Sequence, residues 1–313
     1  MAQTEELAQR FEQQRPQLRA VAYRVLGSVA EADDAVQETW LRLTRSDPSS
    51  VENLGGWLTT VVARVALNML RARTSRRELP LDAHVPDPVV SFAEGPDPEQ
   101  EALLADSVGL ALLVVLETLT PAERVAFVLH DMFSVPFGEI ARVVDRSPAA
   151  ARQLASRARR RVRSAAPAAT GAPDRGLQRR VVAAFRAAAR AGDLDALVAL
   201  LDPDVVLRVD RGAAGSRLIR GPERVAKQAA RFRRAARFAR PALVNGAAGL
   251  VAYAGRRPVA VLGFTLAGER IAAIDIVADR RRLRRLAIPT DAAPARLAAP
   301  TPAARAAARP PCP

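Results

Sequence analysis

The densest chemistry in this chain lies between residues 139 and 163, EIARVVDRSPAAARQLASRARRRVR. Arg152, Gln153, Ser156, Arg157 and Arg160 fall on one side of a helical wheel, behind a short-residue end at Ala149. Arg and Gln can hydrogen-bond base edges in a major groove, while further guanidinium groups neutralise phosphates. Such a face needs a scaffold behind it. Ala151, Leu154, Ala158 and Val162 supply a buried stripe at helical spacing. Ser147 and Pro148 supply a cap and a first-turn proline. Ahead of them, Ile140, Val143 and Val144 mark a first helix, with Ala141 small enough to let a second helix approach. Asp145 takes the turn position that needs a left-handed backbone, which Asp tolerates. The pattern predicts a helix-turn-helix whose second helix reads DNA. A solvated basic helix closing a bundle would explain the charge, but not cap, turn and stripe in phase.

Two earlier polar faces complement this one. Ser28 with Glu31 reads as a capping box, and Val29, Ala32, Val36, Trp40 and Leu43 form the stripe of the helix behind it. The opposite face carries Asp33, Asp34, Gln37, Glu38 and Leu41. In a chain of net charge +14, an acidic face with an apolar member suits docking on a basic protein partner rather than on DNA. A third helix runs from Trp57 to about Arg73, burying Leu58, Val61, Val62, Val65, Met69 and Leu70. Thr60, Arg64, Asn68 and Arg71 line its polar side and continue into Arg73, Arg76 and Arg77. Trp40 and Trp57 fall in apolar stripes, so both are expected to pack in a core rather than stack on bases.

The elements that carry these faces fall into three units. At 313 residues the chain exceeds a single core. Helical pattern covers 1–78, and a Pro-, Asp- and Gly-rich linker covers 79–100. A second helical unit with the helix-turn-helix covers 101–164, where Thr120, Pro121 and Glu123 signal another capped start. After a small-residue linker at 165–176, residues 177–288 read as an α+β domain: an amphipathic helical region, then strand-like runs at 205–209, 241–246, 249–255, 258–266 and 270–279. The tail 289–313 is low-complexity Ala, Pro and Arg and is expected to be disordered. The fold class is therefore mainly α, plus a C-terminal α+β domain.

Composition removes several function classes. Cys312 is the only cysteine, and His84 and His130 are the only histidines. No Cys-based metal site or intrachain disulfide follows, and no Gly-rich phosphate loop is present, so no cofactor or metal is expected. The longest apolar run, Val108 to Leu116, is far too short to span a bilayer. The first residues lack a signal-peptide apolar region. A cytoplasmic protein with no membrane contact is expected, and the charge points to a polyanion such as nucleic acid.

At this point a family resemblance is evident. Residues 139–163, preceded by LETLTPAERVAFVLHDMF, resemble region 4 of the extracytoplasmic-function sigma factors of bacterial RNA polymerase. AEADDAVQETWLRL and GGWLTTVVARVALNMLRARTSRRE resemble region 2. The resemblance implies that the Ser28 helix grips the β′ clamp of core RNA polymerase through Asp33, Asp34, Gln37, Glu38 and Leu41. It implies that region 4 meets the β flap and reads the −35 element through the residue 149–160 face. Arg64, Asn68 and Arg71 would then serve the −10 element, the Arg residues on phosphates and Asn68 on an extruded base.

The C-terminal domain resembles a SnoaL-like cone, as in one subgroup of that family. There the linker carries a Trp-Leu-Pro-Glu-Pro-like motif, whose place Val85-Pro86-Asp87-Pro88-Val89 takes without the Trp. Pro86, Asp87 and Pro88 are thus the candidate regulatory linker residues. Asp210-Arg211-Gly212-Ala213-Ala214 stands for a motif that usually ends in lysine, and Asp279-Arg280-Arg281-Arg282-Leu283 stands for an Asn-Pro-Asp-Lys-Leu-like one. The resemblance implies that these stretches meet the sigma domains, so that the cone is an intramolecular partner modulating polymerase binding. Cones of this kind also occur in enzymes, and Asp210 and Asp275 are strand acids able to point inward. With no histidine in the domain and no constellation around either acid, no catalysis is expected. The rival reading is a helix-turn-helix repressor with a ligand-sensing C-terminal domain, which leaves the acidic Ser28 helix without a role.

Overall fold

The structure is a computed structural model that describes residues 2–46, 53–76, 84–92, 109–165, 174–286 and 288. Helix α1 (Ala2–Leu26) runs through Pro16. It packs with α2 (Val29–Arg45) and α3 (Leu54–Arg76). Phe11, Leu18, Val21, Val25, Val36, Leu43, Leu58, Val62 and Leu70 bury their side chains between the three helices. Trp40 and Trp57 pack against this core, Trp40 tilted onto Phe11 at 5.0 Å between ring centroids. Ser28 caps α2 by accepting the Glu31 N–H. The other half of the expected capping box differs: the Glu31 carboxylate lies 3.4 Å from Arg73 of α3.

The second helical unit comprises α4 (Leu110–Leu116), α5 (Pro121–Phe127) with a π turn at Val128–Met132, α6 (Phe137–Val144) and α7 (Pro148–Ala165). Thr120 and Glu123 form a complete reciprocal capping box. Asp145 ends α6 in the left-handed region at φ 56°. Ser147 accepts the Ala150 N–H. The stripe of α7 is shifted from expectation: Ala151, Ala155 and Ala158 are buried, while Leu154 and Val162 are half-buried at its margins. Three alanines in line let α7 sit close against its neighbours α5 and α6, and larger side chains fit only at the edge.

The C-terminal unit places α8 (Arg175–Ala191), α9 (Leu194–Leu200), α10 (Pro222–Arg231) and the short α11 (Arg233–Ala236) on one face of a sheet. Its strands are β1 (Val90–Ser91), β2 (Leu201–Asp210), β3 (Arg217–Arg220), β4 (Ala239–Val244), β5 (Ala247–Ala254), β6 (Arg257–Ala267) and β7 (Arg270–Val277). They lie in the order β1-β4-β5-β6-β7-β2-β3. Neighbours are antiparallel except β2 and β7, which are parallel. A last helix, α12 (Arg280–Arg285), follows β7. All five strand-like runs are strands. The sequence reading missed β3 and β1, and β1 belongs to the linker. The expected disordered tail lies outside the described residues.

The other face of the sheet is not solvated. Val244, Val251, Tyr253, Val261, Val277, Leu283 and Leu286 join one continuous core with both helical units. Gly263 of β6 shows how closely they approach, since a Cβ there would lie 2.7 Å from Leu110 Cδ2 of α4.

Candidate nucleic-acid interface and linker clasp

On α7, Ala149, Arg152, Gln153, Ser156, Arg157 and Arg160 are all exposed. The arginines interleaved with them are committed to the fold. Arg159 is ion-paired with Asp131 at 2.6 Å and Arg161 with Glu123. The α7 surface therefore divides into anchoring arginines and open ones, and the open ones are the set singled out by spacing. Arg152 lies over the Phe137 ring, 5.7 Å from its centroid, which steadies its stem.

On α3, Asn68 and Arg71 are exposed. Arg64 is exposed too, but its Nη2 donates to the Arg142 carbonyl of α6, so the polar line of the first unit abuts the helix-turn-helix. Arg73 departs from that line: it turns inward, donating to Leu26 O at 3.1 Å and pairing with Glu117 at 3.2 Å. The Arg77 position lies outside the described residues. On α2, Asp34, Gln37 and Leu41 are open. Asp33 pairs with Arg19 at 2.6 Å and Glu38 with Arg42 at 2.8 Å.

The linker residues sit where all three units converge. Val85, Pro86, Asp87 and Pro88 are buried. Toward α1 and α2, the Asp87 N–H donates to Gly27 O at 2.8 Å, and Tyr23 Oη donates to Asp87 O at 2.6 Å. The Val29 N–H donates to the Asp87 carboxylate at 3.3 Å. Toward the C-terminal unit, Val89 and Asn245 exchange two bonds, Val89 N–H to Asn245 Oδ1 at 3.1 Å and Asn245 N–H to Val89 O at 2.8 Å. β1 then continues as an edge strand on β4, with Val90 opposite Val244. The linker was read as irregular, and most of it is. Its short strand arises because β4 presents an unpaired edge.

Arg282 closes the clasp. Its guanidinium donates to Asp87 Oδ1 at 2.6 Å, Val85 O at 2.6 Å and Asp210 Oδ2 at 2.8 Å. Asp210 also lies 2.9 Å from His84 Nδ1 and accepts from the N–H groups of Val85 and Gly212 and from Ser216 Oγ. Burial acts to raise the Asp210 pKa. The bonds from His84, Gly212 and Val85, with the Arg282 charge, outweigh it and hold the carboxyl well below the ordinary carboxylate range. A second bridge joins the two helical units, where buried Glu117 takes Arg124 at 3.0 Å as well as Arg73. Gly27 is packed into this junction at φ +70°, and a Cβ on it would lie 2.8 Å from Glu117 Oε1.

Asp210 and Asp275 do not point into the cone. Leu207 and Val209 of β2 and Ile274 and Ile276 of β7 line its cavity, so the alternate residues Arg208, Asp210 and Asp275 face the other way. Asp275 is fully buried, pushed up by desolvation against the pull of Arg208 at 3.0 Å.

Sequence reasoning did not single out Tyr23, Asn245, His84, Glu117 or Arg73. Asp210 and Arg282 could have been found, because they sit in the two stretches flagged as contact motifs. Nothing local marks Tyr23 as a linker anchor.

Comparisons with known proteins agree with this layout. Residues 10–76 match the family model Sigma-70 region 2, and residues 109–162 match Sigma-70, region 4. The chain is 44% identical over 220 residues to the ECF RNA polymerase sigma factor SigJ of Mycobacterium tuberculosis, covering 69% of this chain and 70% of the relative. It is 34% identical over 287 residues to the probable ECF RNA polymerase sigma factor SigI of the same species, covering 88% and 94%. The crystal structure of M. tuberculosis SigJ superposes with a TM-score of 0.72 at 36% identity, covering 90% of this chain and 99% of that one. The chain belongs to the extracytoplasmic-function sigma factors, and its function is promoter-specific initiation of transcription by RNA polymerase.

Proposed function

We propose that the structure is the closed state of this sigma factor, in which its own C-terminal domain, through the linker, holds region 2 against region 4. The observation that carries this reading is Arg282 bonded at once to Asp87 and Val85 of the linker and to Asp210 of the cone. On a promoter the −10 and −35 elements lie about 25 base pairs apart, roughly 85 Å at 3.4 Å per pair. Here α3 and α6 touch, with Arg64 on the Arg142 carbonyl. One molecule in this conformation does not span both elements, so promoter engagement requires that the clasp release.

In the released form, Arg152, Gln153, Ser156, Arg157 and Arg160 read the −35 element, and Arg64, Asn68 and Arg71 meet the −10 region. Asp33, Asp34, Gln37, Glu38 and Leu41 contact the β′ clamp of core polymerase, and region 4 contacts the β flap. Pro86, Asp87 and Pro88 are the regulatory hinge. The protein works in the cytoplasm, where polymerase and promoter DNA are. The cone is a regulator rather than an enzyme, since the residues lining its cavity include no histidine or carboxylate.

The test is core-polymerase binding and run-off transcription by the full chain and by Arg282→Met. The closed-state reading expects the variant to bind core polymerase more tightly and to raise promoter output. Equal binding and equal output would remove it.

A further inference from the structure

The C-terminal unit holds a cavity of about 290 Å³ between α8, α10 and α11 and the β2–β7–β6–β5 face. That volume lies near the lower end of small-molecule sites. Leu207, Leu250, Leu262, Ile274, Ile276 and Phe185 make its walls apolar. Three further features mark it as a site rather than a packing fault. Gln228 of α10 lines it, is more than nine-tenths buried, and has no hydrogen-bond partner for its side-chain amide among the described residues. A buried amide of that kind is normally paired. Both charged lining residues, Arg186 and Arg211, are positive. Phe232, also in the lining, is 46% exposed and nearby Phe238 is 61% exposed, leaving apolar rings at the surface beside the lining.

We propose that this cavity binds a small apolar acid, its body against the aliphatic wall and its oxygens toward the Gln228 amide in the field of Arg186 and Arg211. Its position gives occupancy a reader. Val209 and Arg211 line the cavity on either side of Asp210, whose carbonyl accepts the N–H of Ala278, itself a lining residue, at 2.7 Å. Asp279, the next residue, caps the helix that bears Arg282. A molecule pressing on one face of β2 and β7 thus displaces the strands whose other face carries the clasp. This second step rests on the clasp being regulatory; the binding step does not.

The test uses the full chain without polymerase. 1-Anilinonaphthalene-8-sulfonate should bind with a stoichiometry of one and be displaced by dodecanoate. Ala229→Trp and, independently, Ala252→Phe should fill the cavity and weaken both probes by at least about tenfold. Dodecanol should compete more weakly than dodecanoate. Saturation with dodecanoate should change amide exchange across residues 85–91. Binding unaffected in both filling variants that still fold overturns the site, and dodecanol competing as well as dodecanoate overturns the acid. Unchanged exchange at 85–91 under saturation overturns the coupling. None of these outcomes bears on transcription by the protein, so failure here is distinct from failure of the closed-state reading.

Discussion

Replacing Arg282 by Met keeps the stem of the side chain and removes every bond of the clasp's centre. The guanidinium is the shared partner of two carboxylates whose side chains are 12% (Asp87) and 3% (Asp210) exposed. Removing one partner of a fully buried pair costs about 3–5 kcal/mol. The figure here is smaller, because the Arg282 side chain is itself 19% exposed and Asp210 keeps its bonds from His84, Val85, Gly212 and Ser216. About 2–3 kcal/mol is the appropriate scale, which multiplies the open population by roughly 30- to 140-fold at 1.4 kcal/mol per tenfold. Native-state hydrogen exchange reads this directly at the amides of Val85, Asp87 and Val89, which donate within the clasp. Their exchange should accelerate by about that factor, while the exposed neighbour Arg281→Met leaves them unchanged. Exchange in Arg282→Met within about threefold of wild type would refute the reasoning.

Other consequences follow from the same geometry. Gly27→Ala places a methyl into Glu117 at a left-handed backbone position and should lower Tm by several degrees, measured by calorimetry. Because the Asp210 carboxyl is held below its ordinary range, its contribution to stability is present above the unfolded value near pH 4 and lost as pH falls below it. Wild type and Asp210→Asn should therefore differ in Tm at neutral pH and converge in acid. Arg157→Ala and Gln153→Ala should each weaken promoter-dependent initiation by about 1–3 kcal/mol where they meet a base, with little change in Tm. Arg159→Ala should lower Tm instead, because its ion pair with Asp131 is internal.

The helices of the first two units were legible because each is short-range physics. Thr120, Ser147 and Asp145 act on residues three or four positions away, and their caps and turn appear where expected. The open arginines of α7 were legible for the same reason. What spacing does not carry is pairing across the chain. β1 is a strand only because β4 lies beside it, and Tyr23 meets Asn245 at 3.0 Å across most of the sequence. Arg73 continued a polar line on the helical wheel, yet its register turns it toward Glu117 once the two helical units pack. The direction of Asp210 likewise depends on which sheet face the helices cover. Strand alternation sets the parity of the two faces and leaves open which of them lines the cavity.

The most direct test of the whole account is run-off transcription with purified core RNA polymerase on promoter fragments from the source genome, comparing the full chain with Arg282→Met. The account predicts initiation that requires the protein and increases when the clasp is broken. No initiation from either form, with tight binding of duplex DNA by the protein alone, would contradict it.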